Sequence, residues 1–332
     1  MKVVDMHCDT IYELYERRKK GQKEKLSEND LHIDLSKMQA GDYLLQNFAV
    51  YTHLEREKKP LEYALKLIDV FYEEIAANED RIAVVKSWQD IENNQKAGKM
   101  SAMLTMEEGG VCLGEAAFLR DFYRLGVRMM TLTWNFPNEL GYPNRILSEN
   151  GRPPECVPDT EHGLTKRGIE FVQEMERLGM IPDISHLNDA GIWDVFCYTK
   201  KPFVASHSNA RALAGHPRNL TDEMIRALAE RGGVAGINFC AAFLKNKENG
   251  GKPVHSYCRD MVEHMKHMKQ IGGIGCIGLG SDFDGIPSKL EMGDCSGIQL
   301  LAEEMERQGF HTGEIEAVFH GNVLRLYREL LR

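Results

Sequence analysis

Val3-Val4-Asp5-Met6-His7-Cys8-Asp9 opens the chain with a short apolar run that closes on two residues able to bind a metal. Residues two apart on a strand point to the same face, so His7 and Asp9 can share one cation while Cys8 faces the other way. The pattern recurs. Short apolar runs lie at residues 3–6, 46–51, 102–106, 128–132, 181–185, 203–206, 234–238 and 276–279. Segments of helical periodicity lie between them, at 61–77, 116–125, 166–178, 222–230 and 257–271, and further helices are expected at 296–308 and 314–328. Strands alternating with helices imply βαβ units in a parallel sheet, and eight such units favour closure into a (β/α)8 TIM barrel of the α/β class. No repeat, low-complexity tract or linker divides residues 1–332, which read as one domain.

A barrel of this kind builds its active site at the C-terminal ends of its strands. Polar residues stand at those ends here: His7 and Asp9 after the first run, Glu108 after the third, His186 after the fifth, His207 after the sixth and Asp282 after the eighth. Each is weak evidence alone, since a lone histidine after an apolar run is commonly a hydrogen-bonded structural residue. Together, imidazole and carboxylate suit zinc or a similar first-row metal. Glu107 and Glu108 point to opposite faces, so only one can enter the barrel mouth. Glu108, followed by Gly109-Gly110, is assigned that place, the glycines allowing close approach of a ligand. Asp282 is placed to act as a general base or to anchor a substrate amine. Asp284 would share its face as support, with a plain Asp-Gly turn as the alternative. Asn238, at the end of the seventh run, is assigned to substrate contact.

Several features carry less. Residues 134–160, rich in Pro, Asn and Gly, read as a long loop overhanging the active face. Gly273-Ile274-Gly275-Cys276-Ile277-Gly278 fits a dinucleotide fingerprint, but it follows a helix and leads into a strand, the reverse of the order that motif needs. His264 and His267 are expected on the solvated face of a helix, and Met261 and Met268 in its packing.

A formal net charge of −9 argues against nucleic acid or an anionic membrane as the partner. No stretch approaches the roughly 20 apolar residues of a membrane span, and Asp5 and His7 interrupt the place of a signal peptide. The expected location is cytoplasmic, with the eight scattered cysteines reduced.

Taken together, the segments Val4-Asp5-Met6-His7-Cys8-Asp9, Glu108-Gly109-Gly110, Thr131-Leu132-Thr133, Asp183-Ile184-Ser185-His186, Ser206-His207-Ser208, Arg218-Asn219, Asp282-Phe283-Asp284-Gly285 and Gly321-Asn322-Val323-Leu324-Arg325 resemble the membrane (renal) dipeptidase family of the amidohydrolase superfamily. The resemblance runs the length of the chain. It implies two zinc ions bridged by Glu108, with His7 and Asp9 on one and His186 and His207 on the other. A hydroxide shared by the metals would attack the peptide carbonyl, Asp282 handling the proton and holding the substrate's free amine. Arg218 matches the arginine that pairs with the substrate's terminal carboxylate. The implied substrates are small dipeptides, L-Xaa–L-Xaa and L-Xaa–D-Xaa, and the implied assembly is a homodimer. Trp134 departs from the pattern: mammalian-type members carry there a histidine that touches the substrate carbonyl oxygen, and an indole N–H can donate a hydrogen bond but cannot titrate. Phe243 stands where a substrate-side tyrosine is expected. Another amide or cyclic-amide hydrolase on the same barrel, or a weakly catalytic metal- and ligand-binding barrel, are the competing readings.

Overall fold

The computed structural model describes residues 1–147, 155–246 and 254–331. Its strands in chain order are β1 (Val3–Asp5), β2 (Tyr43–Tyr51), β3 (Ile82–Val85), β4 (Met100–Glu107), β5 (Met129–Thr131), β6 (Arg145–Leu147), β7 (Glu155–Val157), β8 (Ile181–Asp183), β9 (Val204–Ala205), β10 (Val234–Ile237), β11 (His255–Ser256), β12 (Ile277–Leu279) and β13 (Lys289–Leu290). Parallel pairing runs β1–β2–β4–β5–β8–β9–β10–β12 and returns to β1, which closes an eight-stranded barrel. Each of the eight apolar runs read from the sequence supplies one of these strands. β3 is an addition: it pairs with Met100–Met103 of β4, below the point where β5 takes over at Thr105.

The pleat sorts the strands into two cores. Val4, Leu45, Met103, Met129, Ile181, Val204 and Val234 point into the barrel and pack on Val323, Leu326 and Tyr327. Their neighbours Phe48, Leu104, Met106, Met130, Ala205, Ile237 and Ile277 face the outer helices. The helix Asn322–Leu330 thus plugs the N-terminal end of the barrel, with Asn47 Nδ2 donating to Tyr327 Oη at 2.7 Å. Gly278 makes room for the plug, because a Cβ there would lie 2.9 Å from both Val234 and Val323.

Helix boundaries follow local chemistry. Thr165 caps Lys166–Leu178 by accepting from Gly168 N, and Gly179 ends that helix in the left-handed conformation at φ +84°. The expected helix at 314–328 is broken: Thr312–Glu316 passes through a wide π turn at Ala317–Gly321 before Asn322–Leu330 resumes. The expected loop at 134–160 holds an antiparallel pair, β6 with β7, while its residues 148–154 lie outside the described ones.

One surface assignment is corrected. His264 is buried, not solvated, with Nδ1 accepting from Ala210 N at 3.1 Å and Nε2 against Leu244 O at 3.0 Å. Both ring nitrogens serve backbone groups, and these bonds offset the cost of burial. No disulfide joins the described cysteines. No described helix is long and apolar enough to cross a membrane.

Candidate metal and substrate site

Above the apolar plug the inward positions turn polar. Two residues beyond Met103 comes Thr105, and two beyond that Glu107, so strand parity carries Glu107 and not Glu108 into the barrel mouth. Glu107 Oε1 lies 2.9 Å from His186 Nε2 and 3.8 Å from His207 Nε2, while Oε2 lies 3.4 Å from His7 Nε2. The expectation that Glu108 occupies this centre is therefore corrected by one residue. Glu108 turns outward at φ +99° and is buried among backbone donors. Its Oε1 accepts from Gly110 N at 2.7 Å and Oε2 from Trp134 N at 2.9 Å, so it ties the rim loops together. Burial pushes its carboxyl up to about 7, against the pull of those donors.

The remaining candidates converge as the sequence suggests. His7 Nε2 faces Asp9 Oδ2 at 3.5 Å and Asp282 Oδ1 at 3.8 Å. His186 and His207 bring their Nε2 atoms within 3.0 Å of each other. Two nitrogens this close can share one cation, given zinc–nitrogen bonds of about 2.0–2.1 Å. His186 Nδ1 meets Asn135 Oδ1 at 3.1 Å. An amide oxygen can only accept, so Nδ1 carries the proton and the Nε2 lone pair is left for the site. Ser206 plays the same part for His207. Its hydroxyl hydrogen-bonds Asp183 and its oxygen lies 2.7 Å from His207 Nδ1. Asp183 is fixed in turn by Thr131 Oγ1, Ser185 N and Ser206 N. Across the barrel Asp5 accepts from Ser281 N and Ser281 Oγ in a matching arrangement. Replacing Ser206 by alanine is expected to weaken metal binding by about 10- to 100-fold without unfolding the protein, a loss that metal titration of the stripped variant would read.

The electrostatics fit a site that wants cations. Three carboxylates, those of buried Asp9 and Glu107 and of part-buried Asp282, converge on His7 Nε2. Burial raises Asp9 to about 8, with Glu107 adding to it, and burial raises Asp282 as well. Burial alone would raise Glu107 too, but His7 and His186 hold it below the usual carboxylate range. Burial would lower His7, yet the carboxylates of Glu107 and Asp9 lift it well above the ordinary imidazole value. Burial keeps His207 neutral and lowers His186 to about 4, as metal-ligating imidazoles require. Two buried polar atoms, His7 Nε2 and Asp9 Oδ1, make no hydrogen bond within the described protein. Gly285 also leaves room, since a Cβ there would come within 2.1 Å of Asp9 Oδ2. The donor set suits a metal cation: His7, Glu107 and His207 form one candidate cluster and His7, Asp9 and Asp282 another.

Beside the carboxylates sits Arg218, buried with its Nε unpartnered. Its contacts are long ones, 3.4 Å to Ser208 Oγ and 3.5 Å to His207 O, and Phe243 lies under the guanidinium at 5.6 Å. Asn238 does not project free: its Nδ2 donates to Asp282 Oδ2 at 2.9 Å, so it orients that carboxylate. Of the two readings of Asp284 the Asp-Gly turn is the one that holds: the residue lies in a turn at φ +68° and accepts from Thr10 Oγ1 at 2.6 Å and His32 N at 2.7 Å. Trp134 packs its indole against Tyr51, His53 and Phe136 and reaches toward His186, which makes an aromatic wall on one side of the mouth. Glu107, Asn135, Ser206 and Asp183 are the site residues that sequence reasoning left out. Parity from Met103 marks Glu107, Ser206 stands directly before His207 and Asp183 three residues before His186, while no local signal marks Asn135.

Residues 1–331 match the family model described as membrane dipeptidase, peptidase family M19. A Klebsiella pneumoniae protein described as uncharacterized, in the pqqA 5′ region, is 33% identical over 82% of this chain and 97% of its own length. An uncharacterized dipeptidase of Schizosaccharomyces pombe is 31% identical over 99% of this chain and 80% of its own. Among solved structures, a metallopeptidase called dipeptidase AC, of family M19, superposes with a TM-score of 0.88 at 26% identity, covering 100% of this chain and 99% of that one. A Rhodobacter sphaeroides metallopeptidase liganded with a phosphinate mimic of the dipeptide L-Ala-D-Ala gives 0.86 at 25% identity, with 99% of each chain covered.

Proposed function

The chain belongs to the membrane dipeptidase family, peptidase family M19, and is a metallo-dipeptidase; from that premise we propose that Glu107 would hold two zinc ions together with His7 and Asp9 on one side and His186 and His207 on the other. The observation that carries this reading is the way Glu107 divides its oxygens, one toward His186 and His207 and the other toward His7. When bound, the ions would polarise the peptide carbonyl and make a water acidic enough to attack at neutral pH.

The chain's own residues supply the rest. Asp282, held by Asn238, accepts the proton released by the attacking water and returns it to the leaving amine, and its charge holds the substrate's free amino group. Arg218 receives the terminal carboxylate through a bidentate pair. Clamping both ends limits productive substrates to dipeptides. The aromatic wall of Trp134, Phe136 and Tyr51 offers one substrate side chain an apolar surface. L-Xaa–L-Xaa and L-Xaa–D-Xaa dipeptides are the proposed substrates. The second class is supported by the ligand of the Rhodobacter sphaeroides neighbour. A cytoplasmic location, with the cysteines reduced, completes the reading.

A chelator is expected to abolish cleavage of L-Ala–L-Ala and L-Ala–D-Ala, and added zinc to restore it at two ions per chain. L-Ala–L-Ala–L-Ala should stay uncut throughout. Cleavage that survives complete metal removal would sink the reading, and ready tripeptide cleavage would remove the double clamp from it.

A further inference from the structure

Among the described residues the Arg218 guanidinium makes only long contacts, yet the backbone that carries it is held tightly by a second guanidinium. Arg211 Nε donates to Asn219 O at 2.8 Å and its Nη2 to Pro217 O at 2.9 Å. The carbonyls on both sides of Arg218 therefore end on one side chain. The other edge of that side chain is a fork: Nη1 and Nη2 donate to Asp189 Oδ2 and Oδ1, each at 2.7 Å. Asp189 is buried and is the first residue of the helix Asp189–Tyr198, whose start is fixed by Asn188 accepting from Gly191 N at 2.7 Å. His186 lies three residues before it. The same segment is pinned again by Arg211 N on Leu220 O and Leu220 N on Asn209 O, both 2.8 Å.

We propose that the Asp189–Arg211 pair is the positioning device of the substrate-carboxylate clamp, setting the Arg218 guanidinium in place relative to His186. It thereby sets the preference for substrates that end in a free carboxylate. The proposal rests on the reading of Arg218 given above. Its physical basis is the planar fork. Arginine presents donors in fixed directions, and here they join Asp189 to Pro217 and Asn219 at once. Lysine keeps the charge but offers a single point of attachment and cannot span those partners. Among the described residues the Arg218 guanidinium has no short contact to resist a shift of its backbone. A displacement of about 1 Å at a binding group costs up to about 100-fold in rate.

The test compares L-Ala–L-Ala with L-Ala–L-Ala amide on the zinc-loaded protein, reading kcat and KM separately, with metal content and thermal midpoint as controls. Arg211→Lys is expected to lower the dipeptide-to-amide ratio of kcat/KM by about 10- to 100-fold, chiefly by raising KM for the dipeptide, with two metals retained. Asp189→Asn, which breaks the fork from the other side, should shift the ratio the same way. In an Arg218→Met background Arg211→Lys should change the ratio no further, because the group it positions is gone. An unchanged ratio in Arg211→Lys would overturn the proposal, as would an equal loss on both substrates, which a general structural role predicts. If Arg218→Met itself leaves the ratio unaltered, the reading of Arg218 fails and the proposal with it. If Arg218→Met collapses the ratio and Arg211→Lys does not, only the positioning role fails.

Discussion

Exchange of Glu107 for glutamine is expected to cost the protein its metal pair and to reduce kcat/KM by well over the roughly 100-fold typical of losing a residue that merely supports a ligand. The reason lies in the two oxygens. Oε1 faces His186 and His207, Oε2 faces His7, and an amide keeps only one oxygen for both directions. The exchange also removes one of three negative charges that draw cations into the buried site. The adjacent exchange, Glu108→Gln, should behave differently. Glu108 accepts from Gly110 N and Trp134 N through separate oxygens, and an NH2 group in place of either sets donor against donor. That costs about 1–3 kcal/mol of stability, while both metals stay bound. Metal content and thermal unfolding of the two variants decide the matter. If Glu108→Gln loses the metals and Glu107→Gln keeps them, the assignment is reversed.

Arg218→Met should lower kcat/KM for L-Ala–L-Ala by about 100- to 1,000-fold, the loss expected for a buried charge pair worth roughly 3–4 kcal/mol. Thermal stability should move the other way. Arg218 is buried with an unpartnered Nε and no short hydrogen bond from its guanidinium to the described protein. An apolar side chain of similar length removes that cost, so the midpoint should hold or rise. Activity falling while stability rises is the pattern of a residue kept for its ligand. A variant that loses both together would instead mark Arg218 as part of the fold.

The barrel was legible because its evidence is local and repeated. Each apolar run is short enough to be a strand, and the polar residue that follows marks the catalytic end. His7, Asp9, His186, His207 and Asp282 could be picked out in this way, and the structure brings all of them together. Order along the chain also placed Arg218, through the resemblance of Arg218-Asn219 to a known pattern. The helix at 314–328 was half legible: its periodicity was plain, but the π turn at Ala317–Gly321 is not written in any single residue.

Other features depend on contacts between distant segments. The choice between Glu107 and Glu108 needed the inward parity of Met103, which shows only when the C-terminal helix fills the barrel floor. Asp284 shares a sequence spacing with Asp282, but both residues have positive φ, at +62° and +68°, so the strand rule does not hold between them and Asp284 turns to Thr10 and His32. His264 looked like a surface histidine until Ala210 and Leu244 met it from other parts of the chain. Alternation and spacing are properties of one segment, and they determined the strands, their order and the residue types at the active rim. Which carboxylate enters the centre, what holds each histidine's tautomer and what fixes Arg218 were decided by tertiary structure, because a buried hydrogen bond needs its partner's position as well as its own.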